Sequence, residues 1–153
     1  MKKINNPYLF GSGIVLVLGA LLHLVTIVGG PDWYAYIGAP DGIVAMARAG
    51  KRYPVLACII IASILFVCAA FAFSGAGLIW RLPFRRKVLA LIACGFIVRG
   101  VSFIPFAIWK PEALASVTNI RSVNALLLIT SAICLFTGLG IALGLRQLMK
   151  SPA

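Results

Sequence analysis

Acid is what this chain has least of. Its 153 residues hold only 3 Asp and Glu (Asp32, Asp41 and Glu112) against 14 Lys and Arg. None of the three lies inside a long apolar run. Small four-helix exporters that exchange protons use a membrane-buried Glu, so that class is set aside. Histidine is nearly as scarce. His23 stands alone, with no second ligand near it in sequence, which argues against a metal or haem centre. The four cysteines, Cys58, Cys68, Cys94 and Cys134, all fall in apolar segments and none is spaced Cys-x-x-Cys. They read as small buried hydrophobes, and quinone–thiol redox chemistry lacks its pair. Hydrolytic or transfer chemistry needs a nucleophile, a base and an orienting group within reach. The chain offers no intramembrane acid and no Ser-x-x-Lys, so it reads as non-enzymatic, with no cofactor and no metal.

Charge of either sign is also rare, at 11%. A soluble domain carries about a quarter. What fills the space is apolar: 62% of residues are hydrophobic, and the mean hydropathy is +1.07. The net charge of +11 would suit nucleic acid. The basic residues, however, punctuate apolar segments and form no continuous stripe, so they read as topology signals and no nucleic-acid partner is expected.

Four apolar runs have spanning length, which is about 20 residues. They cover residues 8–28, 54–79, 88–108 and 122–145. The first follows Lys2 and Lys3, but it exceeds the ~7–15 residues of a signal-peptide core and is expected to be retained. Pro54 suits a first helical turn. The expected fold is therefore all-α: one polytopic membrane domain, an antiparallel bundle of four transmembrane helices.

The first loop, 29–53, is too broken to span and too apolar for a plain solvated loop. Asp41 after Pro40 resembles a helix N-cap. Gly50 suits the stop, with Arg48 in the last turn. A short amphipathic helix over 42–49 is expected at the outer surface. It serves either as an interfacial connector or as a cap over a site.

Orientation follows from the cations. The N-terminal tail, second loop and C-terminal tail hold Lys2, Lys3, Arg81, Arg85, Arg86, Lys87, Arg146 and Lys150 and no acid. All three acids lie in the first and third loops, with Arg48, Lys51, Arg52, Lys110 and Arg121. Both termini are expected on the cytoplasmic side of the membrane.

Small and polar residues mark helix contacts in lipid. Helical spacing gives Ser12, Gly19, His23 and Thr26 in the first run, and Ser63, Ala70, Ser74 and Gly77 in the second. The third offers Gly95, Arg99 and Ser102, and the fourth Asn124, Ser131 and Gly138. Gly140-x-x-x-Gly144 in the last suits either this bundle or a homodimer. Arg99 is the one charge deep in an apolar run, about ten residues or roughly 15 Å below Trp109. Such a charge is costly and functional by default expectation. Snorkelling outward brings its head toward the level of His23. The first loop is expected to fold down so that Asp32 or Asp41 approaches Arg99. A bound anion is the other candidate counter-charge. Pro105 frees one backbone carbonyl and permits a kink.

The candidate ligand-binding set is thus Arg99, His23, Asn124, Ser102, Asp32, Asp41 and Trp33. It forms an outer-leaflet polar pocket for a membrane lipid, an anionic ligand or another membrane protein. The alternative is anion or small-solute transport through Arg99. The series His23, Gly29-Gly30-Pro31-Asp32-Trp33-Tyr34, Ser74-Gly75-Ala76-Gly77, Leu82-Pro83 and Arg99-Gly100 resembles a group of small four-helix inner-membrane proteins of Gram-negative bacteria. The layout is also broadly similar to the DoxX-like proteins. These resemblances imply architecture and compartment, not mechanism.

Overall fold

Proline marks where three of the helices begin. Pro7, Pro31 and Pro54 sit in first turns, where the missing N–H would be unsatisfied in any case. The computed structural model describes residues 5–109 and 125–150, apart from the side chains of 103–109 and 125–127. The described residues are helical, with no strand. The elements are α1 (Pro7–Gly29), α2 (Pro31–Tyr36), α3 (Asp41–Arg48), α4 (Tyr53–Ala76), α5 (Arg85–Trp109) and α6 (Ala125–Lys150).

Several ends differ from expectation, for local reasons. α4 stops at Ala76, short of residue 79, because Gly77 takes φ 82°. That left-handed residue lets the Leu78 N–H reach the Phe73 carbonyl at 3.0 Å. α5 begins a turn early, at Arg85, and α6 continues past 145 to Lys150. Arg, Gln, Leu, Met and Lys are all good helix formers, so the tail extends the helix. The stop at Gly50 is as expected: φ is 67°, and the Lys51 N–H bonds to the Met46 carbonyl at 2.9 Å. Asp41 is not the cap. Pro40 holds that position, and Asp41 is the first helical residue with no side-chain capping bond. Its carboxylate still favours the helix dipole. The first loop also holds α2, which its Gly and Pro pattern does not announce.

α1 packs along α4 and, less extensively, α6. α5 packs along α6 and over a shorter stretch on α4. Among the described residues the backbones of α1 and α5 do not approach each other. The long helices thus form two antiparallel hairpins, α1–α4 and α5–α6, laid side by side. At the basal end α1 and α5 start and α4 and α6 finish; α2 and α3 cover the apical end against α1 and α4.

The main core lies toward the base, around Leu9, Leu16, Ala69, Ala72, Ala76, Leu89, Ala93 and Ile141. Its small residues let backbones approach. A Cβ on Gly138 would sit 2.9 Å from the backbone nitrogen of Ile97, and one on Gly100 2.8 Å from that of Leu135. These two glycines set the α5–α6 distance. Gly140 and Gly144 face α1, where added Cβ atoms would meet Ser12 Oγ at 2.7 Å and Leu9 Cγ at 2.5 Å. The Gly-x-x-x-Gly pair is therefore used within the chain.

The inward faces of α1 and α6 agree with the spacing argument: Ser12, Thr26, Ser131 and Gly138 are buried. Those of α4 and α5 are offset in part. α4 buries Ser74, as the spacing implies, together with Cys58, Ala62, Ala69, Ala72 and Ala76, and exposes Ser63, which satisfies its hydroxyl on the Ile59 carbonyl at 2.8 Å. α5 buries Leu89, Ala93 and Gly100, while Gly95 and Ser102 are exposed. Most of these contacts fall on small residues.

Among the described residues three helical stretches are long and apolar enough to cross a membrane: Pro7–Gly29, Tyr53–Ala76 and Leu128–Lys150. No more than 28% of each such stretch is buried inside the chain. Leu18, Ile64, Val67 and Phe136 stand exposed on them. An apolar surface this large needs a nonpolar solvent.

Candidate functional site

Arg99 is half-buried in the α5–α6 seam, where its Nη1 donates to Ser131 Oγ at 3.4 Å. Ser131 itself is fully buried. A guanidinium and a hydroxyl thus meet where the two helices are held closest by Gly100 and Gly138. His23 stands on α1, whose backbone does not approach that of α5. Its Nδ1 lies 2.8 Å from the Gly19 carbonyl. A carbonyl only accepts, so Nδ1 is the donor in this contact. Ser102 points away from the protein. Asn124 lies outside the described residues, as does the side chain of Pro105.

The apical acids do not descend to Arg99. Asp32 pairs with Arg48 at 3.7 Å, and the two side chains are 92% and 64% exposed. Asp41 is exposed on α3. The physical reason is the placement of the cap: α2 and α3 pack on each other and on the α1–α4 hairpin, with their acids turned outward. Trp33 is 41% exposed; its indole lies over Gly29 and 6.5 Å from the Tyr36 ring. Of the sequence-derived set, then, Asp32 and Trp33 share α2, Asp41 is on neighbouring α3, and Arg99 and His23 stand apart. Beneath the cap is a small apolar cluster of Tyr34, Val44 and Cys58. The Tyr34 hydroxyl is buried with no hydrogen-bond partner. Burial, and then the neighbouring Cys58 thiol, push its phenol up to about 12.

A concavity lies at the other end. A basal cavity of about 690 Å³ opens among the start of α1, the end of α4, the α4–α5 loop and the end of α6. This is within the range of small-ligand sites. Arg81, Arg85, Arg86 and Lys87 line it, together with Asn5, Asn6, Ser74 and Gln147, and its lining contains no acid. Ile79, Trp80, Leu82, Phe84 and Leu148 add apolar side chains, and Gly75 and Gly77 complete the lining.

Its walls are tied by polar bonds. The Asn5 N–H donates to the Ala76 carbonyl at 3.1 Å. Asn6 is 2% exposed; it caps α1 by accepting from the Leu9 N–H at 3.1 Å and donates through Nδ2 to the Gly144 carbonyl at 2.7 Å. Ser74 Oγ donates to the Trp80 carbonyl at 2.8 Å and accepts from the Leu82 N–H at 2.9 Å, which folds the loop back over α4. Arg85 Nη1 donates to the Ser74 carbonyl at 3.3 Å. Burial first, and then the neighbouring Arg81 and Arg86, push the Arg85 guanidinium below its ordinary value. Phe84 has φ 53°, a left-handed conformation that is an outlier for a bulky residue. Lys87 Nζ sits 6.0 Å from the centre of its ring.

The arrangement concentrates positive charge in a preformed hollow. It can hold an anion; it offers no nucleophile–base pair. Among the described residues no three of His, Cys, Asp and Glu come together. Sequence reasoning assigned these cations to topology alone. The signal for more was the run Trp80-Arg81-Leu82-Pro83-Phe84-Arg85-Arg86-Lys87, in which aromatic and basic residues interleave. Searches for relatives do not supply an identity: no family model, curated protein or solved structure matches this chain.

Proposed function

We propose that the chain is a four-span protein of the bacterial inner membrane that works by binding an anionic ligand, not by catalysis. α5 is the fourth span: residues 88–108 form one apolar run broken only by Arg99, and the helix lies along α6. α2 and α3 form the outer, interfacial cap. The basal end is cytoplasmic, since it gathers Arg81, Arg85, Arg86, Lys87, Arg146 and Lys150, while the described acids are apical. Arg99 in this reading ties α5 to α6 through Ser131.

The observation that carries the binding role is the 690 Å³ basal cavity with four cations and no acid in its lining. Such a group raises the local concentration of anions and holds phosphate-type oxyanions through charge-assisted bonds. Pyrophosphate tests it, with Trp80 in the lining as the reporter. In purified protein carrying Trp33→Phe and Trp109→Phe, pyrophosphate changes the remaining emission saturably, and added salt weakens the effect. Arg81→Gln with Arg86→Gln abolishes it. Emission that stays flat across the titration sinks the reading.

A further inference from the structure

The cavity has two features that a site for a freely soluble anion does not need. About a third of its lining residues are apolar, Trp80 and Phe84 among them, and both are mostly exposed at 77% and 74%. Aromatic rings at the end of membrane-length helices sit at headgroup level. Next to the cavity, α4 and α5 meet closely where Gly75 faces Leu89; a Cβ on Gly75 would lie 3.1 Å from Leu89 Cδ1. Farther along, α4 keeps mainly to α1 and α5 to α6, so the two hairpins share only a short contact on this side. The cavity therefore lies at the foot of a seam whose walls are lipid-facing. On the reading that the basal cavity binds an anion, we infer that its ligand is the phosphodiester of an anionic phospholipid in the cytoplasmic leaflet.

The residues divide the work by chemistry. Arg85 is half-buried, and its Nη1 is held by the Ser74 carbonyl, so its planar fork is oriented before a ligand arrives. Guanidinium suits two phosphate oxygens at once, and a pre-set fork loses less freedom on binding. Arg81 and Arg86 are exposed at the mouth and supply charge that a zwitterionic headgroup does not satisfy. Ser74 fixes the loop that carries Arg81. Basic pockets between spans on the cytoplasmic side recognise anionic headgroups by this combination. The strained Phe84 backbone sits beside Arg85 in the same wall, which is where local strain is expected to be retained.

The experiment separates a lipid phosphate from a free one. Protein carrying Trp33→Phe and Trp109→Phe is reconstituted in phosphatidylcholine vesicles containing a minor fraction of brominated phosphatidylglycerol, or the same fraction of brominated phosphatidylcholine. Bromines quench Trp80 only from lipids beside it. The inference expects phosphatidylglycerol to quench at least twofold more strongly than phosphatidylcholine. Arg85→Gln removes that preference. Arg86→Gln, at an exposed position that leaves folding intact, reduces it; Arg48→Gln at the apical end leaves it unchanged. Equal quenching by the two lipids overturns the inference. Saturable pyrophosphate binding together with equal lipid quenching leaves the anion site standing and removes the lipid. Failure of both probes removes both.

Discussion

The basal and apical ends of the bundle are closed by different means. At the base, the closure is backbone-directed. Asn5 reaches Ala76, Asn6 reaches Gly144, and Ser74 holds Trp80 and Leu82. Each bond ties one helix end or loop to another, and together they surround a hollow full of positive charge. At the apex, two short helices rest on an apolar cluster of Tyr34, Val44 and Cys58, and the described ion pair lies out in solvent. The difference is one of rigidity. Buried hydrogen bonds to backbone carbonyls have one good geometry, whereas an apolar contact tolerates sliding. A preformed site belongs at the rigid end, and a surface cover at the other.

The largest effect should come from separating the hairpins' own helices near the seam that both ends share. Gly138→Val puts a branched side chain against the Ile97 backbone nitrogen, 2.9 Å from the new Cβ. Backbone cannot rotate out of the way, so α5 and α6 must move apart. The expected cost is about 3 kcal/mol, the upper range for overpacking. It is read as a fall in thermal unfolding midpoint in detergent. A midpoint within a degree or two of the parent would mean the seam is looser than its glycines imply.

Asn6→Ala comes next, because it strikes the basal ties directly. It removes the cap on the Leu9 N–H and the side-chain bond that ties Asn6 to the Gly144 carbonyl. Cap loss costs about 1 kcal/mol, and the lost tie to α6, whose carbonyl keeps its own helical bond, adds about 1 kcal/mol at most. The apical cluster should not register it. With Cys58 as the one remaining cysteine, maleimide labelling of its buried thiol proceeds at the parent rate while the midpoint falls. Faster labelling would show that the two ends open together, and the contrast between them would fail.

How much of this was legible beforehand depends on how local the signal is. The apolar runs marked α1, α4 and α6 within a few residues, because run length is a property of neighbours. The stop at Gly50 was legible for the same reason. The inward faces of α4 and α5 were legible only in part: Ser74 is buried as its spacing implies, but Ser63, Gly95 and Ser102 are exposed, and Ala62, Ala69, Ala93 and Gly100 make the contacts. A hydroxyl that bonds its own helix, as Ser63 does, has no need of a neighbour. The role of Asn6 was not legible, since its partner Gly144 is 138 positions away. The pairing expected of Asp32 or Asp41 with Arg99 was not legible on similar grounds: Asp32 pairs with Arg48 instead. Placing Asp32 near Arg99 needed the cap's packing partners, which no spacing rule supplies. The basal cavity was half-visible as a basic, aromatic loop, but its hollow exists only once Ser74 folds that loop back.

Two smaller changes sharpen the apical side of the contrast. Tyr34→Phe removes a buried hydroxyl that has no partner. Leaving such a group unpaired costs about 1 kcal/mol or more, so its removal should raise the midpoint slightly and slow Cys58 labelling. A loss of stability would mean the hydroxyl is held by the Cys58 thiol after all, and the cap would count as polar-tied like the base.

The smallest effect is expected from Asp32→Asn. The Asp32–Arg48 pair joins α2 to α3, but at 3.7 Å and 92% and 64% exposure it is loosely formed and open to water. Exposed pairs of this kind contribute little, because the Coulomb gain in high dielectric is offset by the entropy of holding two mobile side chains. The variant should unfold with the parent's midpoint and label Cys58 at the parent's rate, in low salt and high salt alike. A salt-sensitive rise in labelling would show that charge, not the Tyr34–Val44–Cys58 contact, keeps the cover down. The apical end would then be an electrostatic latch, able to respond to ionic strength in a way that the hydrogen-bonded base is not.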